Sequence, residues 1–167
     1  PAGWTVGGSN PSWALGAPTG TVINAAGGGV ASWVTNLAGN YNANEASYIQ
    51  SPCLSFASVF NAVLNMKVWW HGEAGWDGGQ VQYSLDGGNT WTVLGNGSSG
   101  LFNWYNDTLT FGPAVGRTVW TGNTTTSLPP TSGGWVNARH SLAALNFQPS
   151  VLLRVAYYSD GSVQYEG

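Results

Sequence analysis

Gln80-Val81-Gln82-Tyr83-Ser84-Leu85-Asp86-Gly87-Gly88-Asn89-Thr90-Trp91-Thr92-Val93-Leu94 decides the fold of this 167-residue chain. Polar and apolar side chains alternate as far as Ser84, the period of a strand with one face on a core and the other toward water. Asp86-Gly87-Gly88-Asn89 then breaks the pattern. Glycines reach the positive φ of a tight turn without steric cost, and an Asp carboxylate accepts hydrogen bonds from turn amides that lack a ladder partner. Thr90 and Trp91 restart a strand that runs to Leu94. The stretch predicts a β-hairpin whose structural residues are Ser84, Asp86, Gly88, Thr90 and Trp91.

Outward from the hairpin, short segments rich in β-branched and aromatic residues recur between clusters of Gly, Asn, Ser and Pro, the pattern of an all-β sandwich or barrel. The expected strands are Ala31 to Leu37, Tyr48 to Ser51, Val63 to Trp70, Gln80 to Ser84, Thr90 to Leu94, Trp104 to Phe111, Trp135 to His140 and Val151 to Tyr157. In Val63 to Trp69, Leu64, Met66 and Val68 share one face while Asn65 and Lys67 share the other, as in an antiparallel sheet wetted on one side. Helical period is nearly absent; only Ser141 to Leu145 suits a short helical turn between strands. Thr121 to Gly134 reads as a polar loop, and residues 1–167 as a single domain.

Composition narrows the function classes. Charged residues make up 7% of the chain, against roughly 25% in ordinary soluble proteins. Gly and Trp are abundant, at 25 and 10 residues, so the chain has the aromatic content that disordered segments lack. The basic residues Lys67, Arg117, Arg139 and Arg154 are scattered and the formal net charge is −3, which leaves no basic patch to drive nucleic-acid binding. No apolar run approaches the ~18 residues of a membrane-spanning helix. Cys53 is the sole cysteine, which excludes an internal disulfide; its neighbours Pro52, Leu54 and Phe56 predict a buried thiol.

The spacing S-x-D-x-G-x-T-W from Ser84 to Trp91 resembles the Asp-box hairpin best known from sialidases, where the box is a folding device away from the catalytic centre. A sialidase propeller needs several four-stranded blades, more chain than is present, and no second box occurs. A wider set of segments also stands in order: Trp13-Ala14-Leu15-Gly16-Ala17-Pro18, Ala31 to Tyr41, Asn44 to Pro52, Trp76 to Ser84, Asn103-Trp104-Tyr105-Asn106 and Leu153 to Asp160. Together they resemble the MAM-like jelly-roll modules of large secreted and surface bacterial proteins, notably those exported by type IX secretion.

That resemblance implies a two-sheet antiparallel jelly roll, a non-enzymatic extracellular or cell-surface module for adhesion to a surface protein or for carbohydrate binding. Such modules open with a strand bearing a Phe-Glu pair and close with an apolar strand ending in paired Asp. The chain starts at Pro1-Ala2-Gly3-Trp4 and stops at Tyr165-Glu166-Gly167, so the terminal strands are expected to be missing, either because residues 1–167 are a segment of a longer polypeptide or because another chain fills the gap. The corresponding alternative is a structural subunit or repeat of a bacterial surface filament, self-associating by strand addition at an open edge. In the resembled modules Ca²⁺ or Na⁺ is sometimes held between loops, which points to Glu45 and Asp77 as candidate calcium ligands. For a glycan, flat indoles beside polar groups suit stacking on sugar rings, and Trp70, Trp76, Asp77 and Trp104 are the candidate ligand-binding residues. Trp69 and Trp70 are adjacent, so one of them should face away from the core. His71, Glu73 and Asp77 form the densest titratable cluster. Zinc would want further Cys or His ligands, and paired glycosidase carboxylates normally flank a cleft rather than share one loop.

Overall fold

The computed structural model describes residues 3–123 and 130–167, and among these the regular secondary structure is almost wholly β-strand. They are β1 (Thr5–Ser9), β2 (Trp13–Gly16), β3 (Ser32–Thr35), β4 (Ala46–Gln50), β5 (Val63–Val68), β6 (Gly78–Ser84), β7 (Thr92–Val93), β8 (Asp107–Thr108), β9 (Thr118–Val119), β10 (Val136–Ser141) and β11 (Leu152–Tyr158). A 3-10 turn over Ala143–Leu145 joins β10 to β11, where the sequence predicts a helical turn. Every ladder is antiparallel. A five-stranded sheet runs β1-β4-β11-β6-β7, accompanied by the two-stranded sheets β10-β5, β2-β3 and β8-β9.

Register explains the layering. Val155 of β11 stands opposite Ile49 of β4 and Val81 of β6, so three branched side chains share the inner face of the large sheet. Against them pack Ala138 from β10 and Leu64, Met66 and Val68 from β5, the face that the alternation of β5 predicts. Three aromatic rings fill the space between. Trp104 lies 5.1 Å from Trp120 and Tyr105 4.8 Å from Trp120, both near edge-on. Their polar tips are all satisfied: Trp104 Nε1 donates to Leu94 O at 2.8 Å, Trp120 Nε1 to Asn103 O at 3.0 Å, and the Tyr105 hydroxyl donates to Val81 O at 3.1 Å. A large ring enters a core without a desolvation cost at its tip only on such terms.

The 80–94 hairpin forms as its sequence demands. Asp86 accepts from Ser84 Oγ at 2.7 Å, from Thr90 N at 2.9 Å and from Thr90 Oγ1 at 2.6 Å, while Ser84 Oγ accepts from Gly88 N at 2.9 Å. Gly87 and Gly88 carry φ of 74° and 97°, the left-handed region the turn requires. Trp91 closes the turn by donating Nε1 to Gly88 O at 3.0 Å. The Arg154 guanidinium lies 4.0 Å over the Trp91 ring, and 4.8 Å from the Tyr48 ring.

Four sequence expectations need correction. The polar face of β6 is not wet: Gln80, Gln82 and Ser84 are 0%, 2% and 2% exposed. Arg154 Nε donates to Gln82 Oε1 at 2.6 Å and Gln82 Nε2 to the Tyr158 hydroxyl at 3.1 Å, so this outer face is roofed by long side chains with its polar groups paired. Of Trp104 to Phe111 only Asp107–Thr108 is strand, because Trp104 and Tyr105 turn inward as core rings. Cys53 is exposed, with Sγ 3.2 Å from Ser150 Oγ; its neighbour Leu54 bridges to Val151 and takes the inward position, so alternation sends Cys53 outward. Thr5–Ser9 supplies an edge strand, β1, where no opening strand was expected. The expected polar loop from Thr121 to Gly134 falls partly outside the described residues, at 124–129.

Two outcomes follow. Trp104→Ala should lower unfolding free energy by about 3–5 kcal/mol, measured by denaturant titration, since it empties the centre of the core. Asp86→Ala should lower the thermal midpoint. The hydrogen bonds from Thr90 and Ser84 hold the Asp86 carboxyl well below its ordinary 3.8, so the wild-type advantage is full above that value and disappears as pH falls through the depressed one. A wild-type and variant difference that does not shrink on acidification would contradict this assignment.

Candidate functional site

Glu45 and Asp77, expected together as cation ligands, do different work. The Glu45 carboxylate accepts from Ser12 N at 2.9 Å, Ser12 Oγ at 2.5 Å, Asn42 N at 3.3 Å and the Ser47 hydroxyl. It is buried, and its two oxygens accept from Ser12 and Asn42 in loops and from Ser47 in β4, so it ties these segments together. Asp77, fully buried at the start of β6, accepts from the Tyr41 hydroxyl at 2.6 Å and from Asp160 N at 2.8 Å. It meets two other carboxylates instead of Glu45: oxygens of Glu73, Asp77 and Asp160 lie within 4.8 Å of one another.

Local folding brings this trio together. Asp77 N and Trp76 N both donate to Glu73 O, at 3.1 and 3.2 Å, which turns the chain between β5 and β6 and puts Glu73 and Asp77 on one side. Asp160 arrives just after β11, whose register with β6 ends at the pair Tyr158 and Gly78. Crowding shows in the acidities. Burial, opposed by hydrogen bonds from Tyr41 and Asp160 N, pushes the Asp77 carboxyl up to about 6. Glu73 is raised by burial and then by the charge of Asp160, and its Oε2 is buried with no hydrogen-bond partner. Asp160 could not be picked out from the sequence, since 83 residues separate it from its partner Asp77.

Beside the trio lies an aromatic pair. Trp76 and Phe111 stack with centroids 4.7 Å apart and planes 21° from parallel, and Phe111 is exposed. A Cβ built on Gly112 would meet Trp76 Cε3 at 3.4 Å and Asp160 Cβ at 3.6 Å, so indole and carboxylate share one glycine-floored surface. The four residues expected to bind a ligand do not converge. Trp76 and Asp77 adjoin the trio, Trp70 lies elsewhere in a cleft, and Trp104, 3% exposed, offers no face to a ligand in solution.

That cleft, of about 460 Å³, opens between the β2–β3 hairpin and β5, over Ile49 and Val155 of the large sheet. Seven of the ten tryptophans line it. Trp70 also packs on the core, whereas Trp69 turns to meet Trp135 edge-on at 5.9 Å and donates Nε1 to Thr131 Oγ1 at 3.0 Å, so the adjacent pair divides as expected. Trp13, Trp33 and Trp70 have buried Nε1 atoms with no acceptor, an arrangement that costs about 1–3 kcal/mol for each group.

A nucleophile and base also approach one another elsewhere. Ser99 Oγ lies 3.1 Å from His140 Nε2, whose Nδ1 meets Ser141 O at 2.7 Å. Yet the Ser99 hydroxyl also closes a turn, donating to Asn96 O at 3.0 Å and accepting from Asn96 N at 2.6 Å, and neither residue lines the cleft. No protein-family profile matches the chain, and no curated protein matches it.

The raised Asp77 acidity sets a pH dependence. Because the folded value of about 6 lies above the ordinary 3.8, the folded state holds the proton more tightly. The Asp77 contribution to stability is therefore fully present below about 3.8 and lost as pH rises through about 6. In metal-free buffer the stability of wild type relative to Asp77→Asn should fall between these limits and level off above them, as read by denaturant unfolding at stepped pH. A pH-independent difference would show that Asp77 titrates normally.

Proposed function

We propose that this chain is a non-catalytic extracellular module for adhesion or carbohydrate binding, on a secreted or surface protein of a bacterium, as its resemblance to MAM-like jelly rolls implies. The observation that carries the reading is the Trp76–Phe111 stack beside the Glu73, Asp77 and Asp160 carboxylates. A flat aromatic surface takes the apolar face of a sugar ring, and neighbouring oxygens take its hydroxyls directly or through a cation. Asp77 is too buried to reach a ligand itself. Its part in this reading is to complete an all-oxygen donor set. That set suits Ca²⁺, and Glu73 Oε2, buried and unpartnered, is the acceptor a hard cation would satisfy. Glu73 and Asp77 belong to one turn, Asp77 N donating to Glu73 O at 3.1 Å, whereas the paired carboxylates of a glycosidase flank a substrate cleft.

A glycan array with and without calcium tests this. Binding should be lost with Trp76→Ala and Phe111→Ala and weakened by Asp160→Asn, and calcium should raise the thermal midpoint of wild type but not of Asp160→Asn. Silence toward every glycan would remove the carbohydrate reading and leave adhesion to protein surfaces. A second reading, a surface-filament subunit completed by a strand from a neighbouring chain, draws on β5, which pairs with β10 alone among the described residues. Electron microscopy showing only single particles at high concentration would count against it.

A further inference from the structure

Two of the four basic residues are committed to the fold. Arg154 lies over the Trp91 ring and donates to Gln82, and Arg117 lies 4.4 Å over the Tyr158 ring. The other two, Lys67 and Arg139, are exposed, and their charged heads have no hydrogen-bond or ion-pair partner among the described residues. Far apart in the sequence, they meet through register, because β5 and β10 pair Asn65 with Arg139 and Lys67 with Asn137. Directly paired residues share a face, as do residues two apart along a strand. All four side chains therefore stand together on the face turned away from the core, into which Leu64, Met66 and Ala138 point. Each cation has one Asn across the ladder and another along its own strand, and the two charges sit on a diagonal, rooted about 7–8 Å apart. The four enclose a depression of about 360 Å³ with no acidic residue in its lining, floored by the ladder between Met66 and Ala138. Beyond β10, Phe102 bridges Arg139 in antiparallel register, so its ring, 57% exposed, belongs to the same face.

We infer that the outer face of the β5–β10 ladder binds an acidic polysaccharide, with Lys67 and Arg139 taking its carboxylate or sulfate groups while Asn65, Asn137 and Phe102 take its hydroxyls and an apolar ring face. Charge complementarity names the occupant. Two unpaired cations side by side repel one another, and an anionic group between them turns that repulsion into two charge-assisted hydrogen bonds. The amides alternate with the cations, and their side chains are also unbonded among the described residues. Such an arrangement suits a polymer whose anionic groups are interspersed with hydroxyls, each of which can donate to or accept from an amide. A nucleic acid wants more than two phosphate contacts and a chain that is not net negative, whereas this one carries a formal −3. Phe102 adds the flat apolar surface on which a sugar ring stacks. The site lies on the face of the ladder, above the plane in which strands pair, and is separate from the Trp76–Phe111 surface, so it does not rest on the role proposed for that surface.

The test immobilises polygalacturonate, dextran sulfate and unmodified dextran and measures capture of the intact chain in buffer containing a chelator, so that calcium-dependent binding does not register. Capture by at least one of the two acidic polymers is expected, and their comparison tells carboxylate from sulfate; neutral dextran should capture nothing. Affinity should fall as salt rises, since exposed charges are screened. The double substitution Lys67→Gln and Arg139→Gln should weaken binding about tenfold or more with an unchanged thermal midpoint, because both side chains are exposed and unpartnered. Phe102→Ala should weaken it at high and low salt alike, and Trp76→Ala should leave it as it was, which separates this site from the other surface. Failure of both acidic polymers, or capture indifferent to the double substitution, would overturn the inference. Equal capture by inorganic polyphosphate would overturn it too, by showing a cationic spot with no preference for sugar.

Discussion

The inner face of the β4–β11–β6 ladder carries Ile49, Val155 and Val81 in one rung, and a sheet with such a face is stable only when that face is removed from water. The rest of the molecule is arranged around that need. β5 and β10 cover the part over Val81 and Leu153, with Trp104, Tyr105 and Trp120 as filling. The β2–β3 hairpin comes over from the other side, and the strip above Ile49 and Val155 is walled by tryptophan but left open between the two covers. The cleft is thus a consequence of layering, the width of a sheet whose second layer is supplied in two narrow pieces. Because its floor is continuous with the core, whatever occupies it adds to the same hydrophobic burial that holds the sheet together.

A chain with so few charges uses its carboxylates as backbone acceptors. Glu166 takes the amides of Thr21, Val22 and Ile23, at 2.7, 2.9 and 2.5 Å, tying a loop near the hairpin to the segment after β11. Glu45 does the same for Ser12 and Asn42, and Asp86 for the 84–90 turn. In an all-β chain with long irregular connections, loop amides outnumber ladder partners, and an ionised acceptor satisfies several at once. Glu73, Asp77 and Asp160 depart from this economy. Three carboxylates are brought within 4.8 Å although burial and mutual repulsion raise two of them, and only Asp77 is well supplied with donors. The cation of the proposed function would offset that repulsion.

Local signals were legible wherever one segment carried its own reason. The 84–91 turn was readable because Asp86, Gly87 and Gly88 dictate it without reference to anything distant. β5 was readable because its alternation coincides with its burial. β1 was not, since Gly7-Gly8 sits in its middle and the propensity argument runs against a strand there; what holds it is its antiparallel ladder with β4, and Gly7 leaves room for the Tyr48 ring, whose hydroxyl lies 2.6 Å from where a Gly7 Cβ would be. The polar face of β6 misled because alternation reports polarity, not exposure. Gln80 and Gln82 are polar and buried, covered by side chains such as Arg154 and Tyr158 from a strand some seventy residues away. The aromatic choices divided on the same ground: nothing local separates Trp104, wedged among core rings, from Trp76, stacked at the surface on Phe111.

Hydrogen bonding at the indole tips sorts the tryptophans by role better than burial does. Trp69, Trp91, Trp104, Trp120 and Trp135 each donate Nε1 to a specific oxygen, and each of them pins one segment to another or closes a turn. Trp13, Trp33 and Trp70 are buried at the tip yet donate to nothing among the described residues, and all three side chains line the cleft. Were they only core, the fold would carry three unpaired donors in one place, against the tendency of protein interiors to pair nearly every such group. Their grouping along one groove, with each tip buried, concentrates the unmet donors beside the floor formed by Ile49 and Val155.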